Sequence, residues 1–227
     1  MHGPPEDPYF RNLKAHLSDL KPFLRLASQT RGVSMDIGAN IGLTTMALAC
    51  VSDTVHCFEP SEDFEYLQMN IEENGLKNCI AHRVAVSDSC GELDFHIPAS
   101  SAGSHVVTRD HAAKTWTPTA KVSAVTLDSL GIKADFVKID AEGYEPKILA
   151  GAKDLKTVFM EFNAWCLLVQ RVDPFSFLHT LIDDFSVSVV RRKWLGVRLE
   201  PLSHEGVFTF LHGHIMRGCV DDLLLTH

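Results

Sequence analysis

The most constraining feature of this chain is the run Asp36-Ile37-Gly38-Ala39-Asn40-Ile41-Gly42, which separates a short apolar stretch from one of helical composition. Val33 to Ile37 reads as a strand, Ile41 to Val51 as a helix, and Thr54 to Phe58 as a second strand. Gly38 lets the chain turn tightly, and Gly42 lets the helix approach a ligand or the sheet. An acid, Glu59, follows the second strand 59 − 36 = 23 residues beyond Asp36. A carboxylate about 20 residues past such a turn can accept both ribose hydroxyls of an adenosine-type cofactor. Asp36, at the end of the first strand, is placed to hold a cation or a cluster of donors.

The same alternation continues. Phe64, Leu67 and Ile71 form the buried stripe of a helix that Ser61 can cap, with Glu62 and Asp63 at its positive end and Asn74-Gly75 as its stop. A third strand fits Ile80 to Val86. Glu92 to Ile97 and Ala120 to Val125 read as strands flanking a polar stretch from Pro98 to Pro118, long enough to be a lid or binding loop. Phe136 to Asp140 is a strand, Glu145-Pro146 opens a helix, and Thr157 to Phe162 is another strand. A helix follows over Pro174 to Ile182, with strands at Val187 to Val190, Val207 to Leu211 and Leu223 to Leu225. Ahead of all this, Phe10, Leu13, Leu17, Leu20 and Leu24 predict one amphipathic helix from Tyr9 to about Gln29. Alternating strands and helices imply an α/β fold, with a mostly parallel sheet covered on both faces and antiparallel strands at its end.

Which cofactor the turn serves follows from Asn40. Dinucleotide sites use G-x-G-x-x-G so that the pyrophosphate can approach the backbone. Here Asn40 takes the second glycine's place, giving G-x-x-x-G. That arrangement is compatible with S-adenosylmethionine, which has no phosphate and whose ammonium suits Asp36. An NAD(P)-linked oxidoreductase is the runner-up, and a non-catalytic domain that binds an adenosine ligand is a third reading.

Charge and cysteine usage narrow the partners. With 21 Lys and Arg against 29 Asp and Glu, the net charge is −8, which disfavours tracking of nucleic-acid phosphates. Arg191-Arg192-Lys193 reads as a solvated strand end. The strand at 136–140 runs into Asp140-Ala141-Glu142-Gly143 rather than the D/N-P-P-Y type used on exocyclic amines, and no Pro-Cys pair is present for pyrimidine chemistry. Cys50, Cys57, Cys79, Cys90, Cys166 and Cys219 contain no CxxC pair and read as reduced and structural. No apolar run reaches the about 18 residues of a membrane span, and residues 1–10 lack a signal-peptide pattern, so the expectation is a soluble cytoplasmic protein without nucleic-acid or membrane partners.

Four motifs, in order, carry a family resemblance: Asp-Ile-Gly-Ala-Asn-Ile-Gly at 36–42, Phe-Glu-Pro-Ser at 58–61, Val-Ala-Val-Ser-Asp at 84–88 and Val-Lys-Ile-Asp-Ala-Glu-Gly-Tyr-Glu at 137–145. From about Val33 to Phe162 the chain resembles the FkbM family of S-adenosylmethionine-dependent methyltransferases. The resemblance implies a Rossmann-like class I methyltransferase fold, a seven-stranded sheet ending in a reversed hairpin. Length and the absence of a linker suggest a single domain over 1–227, with a helical extension at 1–31, a cofactor core at 33–162 and a C-terminal part at 163–227. The resemblance also implies O-methylation of a small hydroxylated metabolite such as a sugar or polyketide. By the same resemblance Gly38, Asn40 and Gly42 surround the methionine part, with Asp36 and Thr44 beside them. Glu59 holds the ribose, flanked by Pro60 and Ser61. Ala85, Val86, Ser87 and Asp88 lie along the adenine, and Asp140 lies near the transferring methyl. The regions before Gly32 and after Phe162 are those in which substrate choice is made.

A hydroxyl acceptor needs its proton removed, so a base or a metal is expected. Asp140, Glu142 and Glu161 stand at or just past strand C-terminal ends, the ligand side of such a sheet, and any of them can be the base. His105, in the polar loop, is a further candidate. Asp140 and Glu161 could instead share a divalent cation, a route less favoured than the base, so no metal ligand is assigned. His212-Gly213-His214 lacks further ligands, and His179 reads as packed or exposed on a helix.

Overall fold

A computed structural model describes residues 1–17, 20–96, 105–106, 119–193, 196–218 and 220–227. The first segment is not the continuous helix its spacing predicts. It forms α1 (Pro8–Arg11), α2 (Leu13–His16) and α3 (Leu20–Ala27). Pro22 lacks the N–H that an uninterrupted helix needs, and it stands instead in the first turn of α3, where that group has no partner.

The core alternates as the sequence dictates: β1 (Val33–Ile37), α4 (Leu43–Ala49), β2 (Thr54–Phe58), α5 (Asp63–Glu73) and β3 (Cys79–His82). The third strand ends at His82 rather than running to Val86. Ala85–Val86 is a separate β4, which joins β5 (Gly91–His96), β6 (His105–Val106) and β7 (Thr119–Val125) in a small sheet ordered β4-β7-β5-β6. After α6 (Leu127–Leu130) come β8 (Phe136–Ile139), α7 (Glu145–Ala150), β9 (Thr157–Phe162), α8 (Ala164–Val169) and α9 (Pro174–Asp184). The chain closes with β10 (Ser186–Lys193), β11 (Gly196–Pro201), α10 (Val207–Arg217) and β12 (Asp221–Thr226).

Val207 to Leu211 is therefore helix, not strand. Its buried residues Val207, Phe210 and His214 recur at spacings of three and four, the helical period, which the five-residue apolar run alone does not reveal.

The main sheet runs β11-β10-β12-β9-β8-β1-β2-β3. Pairings between β3, β2, β1, β8 and β9 are parallel, and β12 lies antiparallel between β9 and β10. Seven strands match the expected methyltransferase sheet with its reversed hairpin, and β11 extends the edge as an eighth, pairing Lys193 with Gly196. Both faces are covered: adjacent residues Phe136 and Val137, and Val158 and Phe159, enter different hydrophobic clusters. Phe23 of α3 packs edge-on against Phe136 and Phe159, at 5.7 and 5.2 Å between ring centroids. Sheet order reverses at β1, between β2 and β8, so the ligand crevice of this topology opens at the C-terminal ends of β1 and β8. No helix among the described residues is long and apolar enough to cross a membrane.

Asp173 begins α9 by accepting the backbone N–H of Phe175 at 3.3 Å and of Ser176 at 3.1 Å. Asp173→Ala is expected to destabilise the protein by about 1 kcal/mol in denaturant unfolding, the usual cost of a lost side-chain cap. An unchanged midpoint would show that the cap does not contribute.

Candidate active site

The glycine turn is fixed by close approach. Gly38 has φ of +75°, and a Cβ there would lie 1.9 Å from the carbonyl oxygen of Asp140. A Cβ on Gly42, at φ of +95°, would lie 2.8 Å from Leu67 Cδ1. Asn40 adopts a left-handed conformation at φ of 51°, which asparagine tolerates better than most residues.

Every backbone N–H from 38 to 42 is already donated within the chain. Gly38 and Ala39 donate to the Phe58 carbonyl at 3.1 and 3.0 Å, and Gly42 donates to Ala39 at 2.9 Å. Asn40 donates to Glu59 Oε2 at 2.9 Å, and Ile41 to Asn40 Oδ1 at 2.7 Å. Ser61 N–H donates to the other Glu59 oxygen at 2.9 Å. The Glu59 carboxylate is thus clamped at both oxygens, and each retains lone-pair capacity towards the crevice. Burial pushes its pKa up, opposed by these hydrogen bonds.

Asp36 does not reach the crevice. Its side chain is 0% exposed and meets the Lys138 ammonium at 3.2 Å, while Thr44 and Thr45 hydroxyls donate to its other oxygen at 2.8 and 2.6 Å. The cation it holds is the protein's own. Burial alone would lower the Lys138 pKa, but Asp36 and Asp140 outweigh it and keep the ammonium charged. Lys138 also donates to the Gly38 carbonyl at 2.8 Å, bracing the turn.

A cavity of about 540 Å³ opens here, and Gly38, Asn40, Thr44, Glu59, Pro60, Ala85, Val86, Asp140, Glu142 and Glu161 all line it. Asp36, Gly42, Ser61 and Ser87 are not among the residues that line it. Ser61 orients Glu59 and its hydroxyl accepts the N–H of Asp63 at 3.1 Å, but the cap residue of α5 is Glu62, one position later than the sequence suggests, and its side chain makes no cap bond. The Ser87 hydroxyl meets Tyr144 at 3.0 Å and donates to Asp88 at 3.1 Å. His105 begins β6, but its side chain and the stretches 97–104 and 107–118 lie outside the described residues.

At the C-terminal ends of β8 and β9, three carboxylates converge: one oxygen each from Asp140, Glu142 and Glu161 lie within 4.8 Å of one another. Glu142 is held at φ of 52°, a costly backbone state for a residue that is not glycine, asparagine or aspartate. Gly143 follows because a Cβ there would lie 2.4 Å from the Cys166 carbonyl. Glu145, buried, fastens the loop by accepting the N–H groups of Ala141 and Gly143 at 3.0 and 3.2 Å. Burial, with Asp140 adding to it, raises the Glu142 pKa to about 7, against a donor contact from the Cys166 thiol at 3.2 Å. Burial and then Asp140, Glu142 and Asp222 push Glu161 well above the usual carboxylate range.

Sequence reasoning did not single out Tyr9, Arg192 or Asp222, which also line the cavity, nor Lys138 as the partner of Asp36. Arg191 and Arg192 are not simply a solvated strand end. Arg191 bonds Glu200 and Asp221, and Arg192 donates to Asp222 at 3.0 Å. The signal for Lys138 was present: a lone cation in a strand whose four residues are all buried requires a partner. His214 is buried apart from His212, bonded to Asp221 at 2.8 Å and accepting the Ala164 N–H at 3.2 Å. His179 stacks on His204.

Comparison with known proteins adds a family. The model of the methyltransferase FkbM domain matches residues 36–181. No curated protein matches the chain. Among solved structures, it is similar to a precorrin-6y C5,15-methyltransferase from Geobacter metallireducens, at 12% identity over 90% of this chain and 86% of that one, with a TM-score of 0.49. It is also similar to a precorrin 8W decarboxylase from Methanobacterium thermoautotrophicum, at 14% identity, coverage of 90% and 87%, and a TM-score of 0.44. A third is an rRNA methylase from Streptococcus thermophilus, at 10% identity, coverage of 91% and 96%, and a TM-score of 0.45.

Proposed function

The chain belongs to the FkbM family of methyltransferases, and from that premise we propose that it moves a methyl group from S-adenosylmethionine to a hydroxyl of a small acceptor. One observation carries the choice of cofactor. A pyrophosphate site offers backbone N–H groups from its glycine turn, and in this chain all of those from 38 to 42 are engaged internally. That disfavours NAD(P) and leaves Glu59, with free lone pairs at both oxygens, as the group that recognises a ribose. Ala85 and Val86, both buried, supply the apolar wall for an adenine.

S-adenosylmethionine, when bound, supplies an electrophilic methyl on a cationic sulfur. The protein's part is to align the acceptor oxygen behind that methyl, exclude water and take the acceptor's proton. Glu142 is the base in this reading. Its pKa of about 7 keeps it a proton acceptor at neutral pH, and its strained backbone sets it at the cavity wall. The acceptor O–H proton passes to Glu142, the oxygen–methyl bond forms and the sulfur–methyl bond breaks, leaving S-adenosylhomocysteine. Asp140, 3.6 Å from Lys138, is the positioning group at the turn, and Glu161, whose pKa burial holds well above the usual carboxylate range, lines the acceptor's side of the cavity.

With a hydroxylated acceptor, kcat/KM is expected to rise as pH increases through about 7, because Glu142 acts only when deprotonated. A profile flat from pH 6 to 8, about one unit either side of that value, would remove Glu142 from the role. The spacing of Asp140, Glu142 and Glu161 also suits a divalent cation, which would acidify the hydroxyl in place of a base. A chelator separates the two routes: the base route predicts unchanged turnover in EDTA, and loss restored by magnesium or manganese would favour the metal.

A further inference from the structure

One wall of the cavity comes from a segment that precedes the sheet. Tyr9 lines the cavity, and burial pushes its phenol up to about 12, with Lys138 opposing that rise and Asp140 and Asp36 adding to it. Lys138 and Asp140, at the C-terminal end of β8, line the same cavity as Tyr9. Asp7, itself buried, fixes the turn carrying Tyr9 by accepting its backbone N–H at 2.7 Å.

The segment is tied to the glycine turn by one side chain. Asn70, fully buried on α5, accepts the backbone N–H of His2 at 2.5 Å and donates to the carbonyls of His2 and Ile41, both at 2.8 Å. Ile41 lies inside the turn that approaches the cofactor. A buried amide that joins two chain segments through three hydrogen bonds makes the order of each depend on the other.

We propose that residues 1–11 cover the cofactor chamber, with Tyr9 closing over the transferring end of S-adenosylmethionine and Asn70 coupling that cover to the glycine turn. The proposal rests on the cofactor reading above and goes beyond it by assigning this segment a part in binding. A ring beside the sulfur excludes water, and its face attracts a sulfonium more than the neutral thioether of the product. Tyr9 is the contact residue, and Asn70 is a positioning residue.

The test pairs two substitutions with amide hydrogen exchange on the full chain. Tyr9→Ala is expected to weaken S-adenosylmethionine binding about tenfold, chiefly through faster dissociation, with a smaller loss for S-adenosylhomocysteine. Tyr9→Phe keeps the ring and is expected to bind both within about twofold of the unmodified protein. In that protein S-adenosylhomocysteine should slow exchange at both 2–10 and 36–42, whereas in Asn70→Ala it should slow exchange at 36–42 alone. Unchanged binding by Tyr9→Ala, or ligand protection confined to 36–42 in the unmodified protein, overturns this proposal while leaving the cofactor reading intact. An unmodified protein that binds neither ligand overturns both.

Discussion

Glu142→Gln is expected to lower kcat for methyl transfer by about 100- to 10,000-fold, the range over which a positioned general base contributes. The substitution is nearly isosteric, so the side chain can still meet the Cys166 thiol, 3.2 Å away in the structure, and the left-handed turn at 142–143 is undisturbed. What it removes is the capacity to accept a proton. S-adenosylhomocysteine affinity should therefore stay within about twofold, and the rising limb of the pH profile should vanish with the lost activity. The cluster sharpens this expectation. Glu161 is poorly suited to take over, because burial, the largest cause of its raised pKa, is untouched by the substitution. Turnover within a few-fold of the unmodified enzyme would rule out Glu142 as the base. Loss of cofactor binding would show instead that its role is to hold the site together.

Glu59→Ala is expected to weaken S-adenosylhomocysteine binding at least about 100-fold, since each charge-assisted hydrogen bond to a ribose hydroxyl contributes roughly 1.5–3 kcal/mol. The substitution also strips the Asn40 and Ser61 N–H groups of their acceptor, so the glycine turn and the start of α5 lose a shared anchor. Glu59→Gln separates these effects. Its amide oxygen can still accept one of the two N–H groups, but its NH2 cannot accept the other or a second hydroxyl, so its affinity should fall between those of the alanine variant and the unmodified protein. Calorimetric titration reads the loss, and thermal melting shows whether each variant remains folded. Equal affinity in all three proteins would mean that Glu59 is only the clamp of the turn.

The parts of this account that were legible in the sequence are those governed by local chemistry. Gly38, Gly42 and Glu59 stand in a spacing that a strand, a turn, a helix and a strand impose, and the structure puts Gly38 and Glu59 on one cavity. Asp140, Glu142 and Glu161 converge because acids at or just past strand C-terminal ends share the open edge of a parallel sheet. Asp36 was identified as a cation holder, but its partner was not. Lys138 lies 102 residues away in the chain and becomes a neighbour only through the pairing of Asp36 with Lys138 across β1 and β8. Asp222 was hidden for the same reason. It stands opposite Glu161 only because β12 inserts between β9 and β10, a placement no local pattern encodes. The apolar run Val207 to Leu211 fits either period, and the residue that decides for a helix, His214, is polar and buried by a hydrogen bond to Asp221. Tyr9 stands in the short α1 rather than at the head of one long helix, and its place on the cavity depends on tertiary contacts such as those of Asn70 with His2, which no local pattern encodes.

The most direct test of the central claim is calorimetric titration of the purified protein with S-adenosylhomocysteine and, separately, with NAD. A glycine turn with every N–H engaged, facing a clamped carboxylate, predicts micromolar binding of S-adenosylhomocysteine and no measurable binding of NAD. Folded protein that binds NAD, or that leaves S-adenosylhomocysteine unbound, would contradict it.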